Sequence, residues 1–198
     1  MAALALLFGG TLASLLLVVA LPIDEVQAEA LFTGAELALG FGAMALLGSG
    51  AVRASFAGAA RGRDVALAVA LGVATFALSW AFVAALAALA DVESEPAVLT
   101  AVDWLAIVAL APLLEEWFCR GATWYALLPF TRAGERIAAT AVLFGMLHCL
   151  TDGLWGFPHR FAAGLVFGWL RQRSGSLWPG IVAHVVHNAL VLIAESVG

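Results

Sequence analysis

Two adjacent carboxylates and an arginine, Glu115, Glu116 and Arg120, stand next to a long apolar run. Ionisable groups at membrane depth are costly to hold there, which makes them functional candidates. Two later apolar segments carry His148, and His184 with Asn188. Glu116 and Arg120 are four residues apart, so one helix face holds both as an internal ion pair. Glu115 is turned about 100° from its neighbour and meets a different environment. Phe144 and His148 share a face by the same spacing, as do His184 and Asn188, and His187 lies close to that second face. A glutamate, two histidines and an asparagine converging between helices suit the activation of water. Glu115 is then the general base. His184 and Asn188 donate hydrogen bonds to the developing oxyanion, and His148 orients the water or protonates the leaving group. His159, between Pro158 and Arg160 in an expected loop over 152–158, reads as a packed residue without a catalytic role.

The elements that position these groups must be membrane helices. The chain has 198 residues, 64% hydrophobic and only 12% charged, with a mean hydropathy of +1.03. A soluble domain is about half apolar and a quarter charged. The composition therefore predicts an all-α, polytopic transmembrane bundle forming one domain, 1–198. All nine basic residues are arginine, and no basic patch with interleaved aromatics points to nucleic acid. The composition suits a bacterial protein, integral to the inner membrane. Cys119 and Cys149 have neither metal-site nor disulfide-framework spacing and read as small buried hydrophobes.

About seven spans are expected: 1–21, 31–52, 65–90, one starting near 97 and leading into the glutamates, 137–150, 161–170 and 177–197. The first is long enough to cross and has no basic leader, so it reads as a retained helix, with a cleaved signal peptide as the alternative. Glycines in the second, and Gly164 with Gly168 in the sixth, suit close helix packing. Seven arginines (53, 61, 63, 132, 136, 171 and 173) fall on one side of such a bundle, with acidic loops at 24–29 and 91–95 on the other. Arg160 is the exception. That bias places the amino terminus in the cytoplasm and the carboxyl terminus outside. Glu115 and His148 meet at one depth only if helices tilt or if the fourth helix runs past Arg120 toward Leu128, and the second is the expectation.

Three short motifs now stand in order: Glu115-Glu116-Trp117-Phe118-Cys119-Arg120, Phe144-Gly145-Met146-Leu147-His148 and His184-Val185-Val186-His187-Asn188. Together they resemble the EExxxR, FxxxH and HxxxN motifs of the CPBP intramembrane proteases, the CAAX proteases and bacteriocin-processing enzymes. The stretch from Phe161 to Leu170, followed by Ser174-Gly175-Ser176-Leu177-Trp178-Pro179, resembles that family's approach to its last motif. The resemblance covers about 111–191, a catalytic core within the single domain. It implies hydrolysis of a peptide bond inside the membrane, with Glu115, His148, His184 and Asn188 in the site and Glu116 and Arg120 supporting them. The substrate implied is a membrane-embedded or lipid-anchored peptide or protein. Processing of a C-terminal tail, as in the myxosortase-like branch, is one form of that, and a non-catalytic scaffold or bacteriocin-immunity protein is the alternative. The family has been viewed both as glutamic and as metal-dependent. Glu115, His148 and His184 could supply the three protein ligands of a zinc site. An asparagine in the fourth place fits an oxyanion donor better, and there is no HExxH. The glutamic form without a metal cofactor is the expectation, and zinc is the alternative.

Overall fold

The computed structural model describes residues 1–22, 25–57, 61–90, 99–149 and 152–197. Asp24, the acidic stretch 91–96, Ala97 and Leu150 lie outside the described residues, as do the side chains of Glu25, Glu29 and Glu36. Among the described residues all regular structure is helical. We number the helices α1 (2–20), α2 (Glu25–Leu47), α3 (Ser49–Phe56), α4 (Gly62–Ala90), α5 (101–127), α6 (Ala133–Leu147), α7 (Phe157–Ser174) and α8 (Trp178–Val197). Of these, α4 and α8 are long and apolar enough to cross a membrane.

A helical segment stands in each region where a span was expected, with two differences from the expected layout. The expected second span is not one rod, because Ala38–Leu47 and Ser49–Phe56 meet at 107°. Gly48 makes that corner with φ 87°, a left-handed backbone that side-chain-bearing residues rarely adopt. Counted as one broken span, this pair brings the candidate membrane spans to three. As expected, α5 continues through Arg120 to Leu127. A capping box of Thr100 and Asp103 starts it, the Asp103 carboxylate accepting from the Thr100 N–H at 2.8 Å. Glu115 therefore sits near the middle of a continuous rod. The second difference concerns the expected loop 152–158, whose end is helical. A 3-10 turn, Leu154–Gly156, leads directly into α7, so His159 and Arg160 occupy its first turns. Pro158 marks the start of a helix here, since the first turn needs no N–H from it.

In a bilayer helices gain little from hydrophobic burial against one another, so association depends on close van der Waals fit. On α4 the buried stripe is Ala68, Gly72, Thr75 and Ser79, all small, at alternating spacings of four and three. A side chain at Gly72 would collide with the Ala183 carbonyl and Val186 of α8. On α7, Gly164 rests on Ala141 and Gly168 on Ile137, so the expected GxxxG packing is made, against α6. The helix ends are tied by arginines. Arg173 reaches Asp64 at 3.8 Å, and Arg171 donates to the Tyr125 hydroxyl at 3.2 Å. Arg136 donates to the Thr131 carbonyl at 3.0 Å. Arg160 stands at the opposite end of α7, paired with Asp152 at 2.8 Å.

Candidate active site

Glu115 and Glu116 lie in the α-helical turn Ala111–Glu116 of α5, flanked by wider π-helical turns at Leu105–Leu110 and Trp117–Thr123. Such turns frequently mark functional sites in helices. Arg120 is fully buried, as is Glu116. Arg120 Nη1 donates to Glu116 Oε1 at 3.0 Å, the expected ion pair, and Nη2 donates to the Gly164 carbonyl at 2.8 Å. The guanidinium lies 4.7 Å from the centre of the Phe144 ring. Paired charge, hydrogen bonds and an aromatic face together make a buried arginine tolerable. Gly164 is required twice, because a Cβ there would meet both Ala141 and the Arg120 guanidinium.

The two histidines converge on Glu115. Its Oε2 lies 3.5 Å from His148 Nε2 and 3.8 Å from His184 Nε2. His148 ends α6 and points its Nδ1 at the Phe144 carbonyl, 2.8 Å away. A carbonyl only accepts, so Nδ1 carries a proton and Nε2 is the nitrogen that faces Glu115. His184 is 1% exposed, wedged between the Phe167 ring, stacked at 4.9 Å, and the edge-on Phe144 ring at 5.4 Å. Its second nitrogen, Nδ1, lies 3.4 Å from Glu116 Oε1. His184 thus links the two glutamates that spacing alone had assigned to separate environments. Opposite it, Glu116 Oε2 is buried with no hydrogen-bond partner and lies where a Cβ on Gly180 would press against it, at 3.0 Å.

Asn188 is buried on α8, and its Nδ2 donates to the Ile107 carbonyl at 2.8 Å. The sequence of α5 explains the need. Ala111 N–H donates five residues back, to Ala106, and Pro112 has no N–H, so the Ile107 carbonyl lacks its usual helical donors. The Asn188 amide has a second N–H besides the one given to Ile107. An Asn188→Ala variant is expected to lose about 1–3 kcal/mol of stability through the orphaned carbonyl. Adding Pro112→Ala, which supplies a backbone N–H, is expected to recover part of that in thermal melts without recovering activity. Equal melting of Asn188→Ala and the parent would refute this account.

His187 points away from Glu115, toward α4, with its Nδ1 3.1 Å from Thr75 Oγ1. Thr75 was not expected at the site, and neither was the contact of Glu116 with His184. The signal for Thr75 was its place in the small-residue stripe of α4. The Glu116 contact depends on helix rotation and has no local signal. Among the described residues no group of three His, Cys, Asp or Glu side chains is arranged to hold a metal ion. The three candidate zinc ligands do face one another, with Glu115 Oε2 between the two imidazoles.

These features define a helical membrane protein with a buried glutamate–histidine centre. Within it, residues 97–190, a little under half of the chain, match the family model described as Type II CAAX prenyl endopeptidase Rce1-like. The matched stretch contains all three motifs. No curated protein and no solved structure matches this chain.

Proposed function

We propose that this protein is a multi-pass intramembrane endopeptidase that hydrolyses a peptide bond of a membrane-embedded or lipid-anchored substrate with a water activated by Glu115. The observation that carries the reading is the convergence of Glu115 Oε2 on Nε2 of both His148 and His184. Those separations exceed a direct hydrogen bond and are short enough for one water to bridge the three groups. Glu115 takes a proton from that water as its oxygen attacks the carbonyl carbon. The carbonyl oxygen gathers negative charge and is met by the second N–H of Asn188 and by His184. The C–N bond then breaks, and His148 or Glu115 returns the proton to the departing amine. Glu116 holds His184 in place from its far side, and Arg120 balances the charge of Glu116.

In this reading the remaining apolar helices complete about seven crossings in a bacterial cell membrane. The substrate is a peptide or a C-terminal tail, in keeping with the endopeptidase family model that 97–190 match. Proton transfer among Glu115, His148 and His184 is sufficient for each of these steps. The purified protein, reconstituted in liposomes with internally quenched apolar peptides, tests this directly. Cleavage is expected to survive a strong zinc chelator with well under one metal ion per chain. Loss of cleavage on chelation, restored by added zinc, would replace this mechanism with the metal-dependent one.

A further inference from the structure

A second cavity, of about 320 Å³, lies between α4, the start of α7 and α8. Phe82, Val83, Trp155 and Val191 make its apolar walls. Ser79, His159 and His187 add polar groups, and the Asp152–Arg160 pair also borders it. Ser79 is 4% exposed and His159 is 8% exposed, yet Ser79 Oγ and His159 Nδ1 have no hydrogen-bond partner. His187 adds a third group. The Thr75 hydroxyl gives its one proton to the Gly72 carbonyl, at 3.0 Å, so it accepts from His187 Nδ1–H. The other ring nitrogen, Nε2, is then left as an acceptor on a side chain that lines the cavity.

Buried polar groups without partners are uncommon and ask for an explanation. The position of this cavity offers one. It shares α8 with the Glu115 site, since His187, which lines it, stands beside Asn188 and three residues after His184. A protease can reach a peptide bond inside a membrane only where the substrate backbone is unwound. In hydrocarbon each freed N–H and C=O then needs a new partner. A free strand edge could supply partners to an extended peptide, but the described residues form no strand. Side chains must do it instead.

We propose that this cavity is a substrate subsite for the unwound segment on one side of the scissile bond. A large apolar side chain fills the aromatic-walled space, and Ser79, His159 and His187 hydrogen-bond the flanking backbone amides. The assignment rests on the endopeptidase reading and deepens it by naming what selects the substrate.

The test uses the full-length protein in liposomes and a pool of internally quenched apolar peptides of about 20 residues, randomised at the central positions. Products are read by mass spectrometry. Ser79→Trp fills the cavity from its polar side, and Leu86→Trp fills it from an apolar wall without disturbing Ser79. Both are expected to disfavour large apolar residues at one position beside the cut. Both are also expected to raise KM about tenfold, with kcat changed less than about twofold. His159→Phe keeps a ring against Phe82 and is expected to raise KM for all peptides without changing the residue preference. Parental KM and preference in both tryptophan variants, with Glu115→Gln inactive, would overturn the subsite while leaving the endopeptidase reading intact. Full cleavage by Glu115→Gln would overturn both.

Discussion

Replacing Glu115 with glutamine is expected to lower peptide cleavage about 10³-fold while leaving the protein folded. Glutamine keeps the shape of the side chain and removes its capacity to take a proton. Glu115 Oε2 has no hydrogen-bond partner to lose, and its neighbours are two imidazoles at 3.5 and 3.8 Å. The thermal melt should therefore stay close to that of the parent, and kcat rather than KM should carry the loss. Glu116→Gln provides the contrast. It weakens the pair with Arg120 and the contact with His184, so it should lower stability as well as activity. Parental cleavage by Glu115→Gln, at parental protein levels, would rule out this residue as the base and favour a scaffold or immunity role.

The largest effect on stability is expected at Arg120. Arg120→Met leaves Glu116 buried without its cation, and breaking a buried pair from one side is destabilising by about 3–5 kcal/mol. Removing the second charge as well, in Glu116→Gln with Arg120→Met, should restore most of that loss, because the penalty belongs to the stranded carboxylate. The two changes are expected to couple by more than about 1.5 kcal/mol in chemical denaturation. Activity should not return with stability, since His184 Nδ1 no longer faces a carboxylate. Additive effects of the two substitutions would show that the pair is not the source of the stability, and the hydrogen bond from Arg120 to Gly164 would then carry the effect.

Much of this centre was legible in the sequence because much of it is local. The Glu116–Arg120 pair and the His148–Phe144 contact both span four residues, a separation that helix geometry makes adjacent wherever the helix sits. The GxxxG of α7 was legible for the same reason. The bend at Gly48 was hidden inside a continuous apolar run, because hydropathy carries no information about backbone sign. The start of α7 was read as a loop because Pro158 and Gly156 signal turns equally well before a helix and between helices.

The chemical inventory could be read from residue types and spacing: a helix-forming apolar chain, one glutamate pair, and histidines and an asparagine spaced to share helix faces. Those properties follow from composition and from a period fixed by backbone hydrogen bonding. Which faces meet became visible in the folded chain. The rotation and depth of each helix come from contacts between segments far apart in the chain, such as Gly72 against Ala183 and Gly164 against Ala141. Through them Asn188 reaches Ile107, His187 reaches Thr75, and His184 stands between Glu115 and Glu116. Two carboxylates that spacing alone had separated by about 100° of helix are thereby joined through one imidazole.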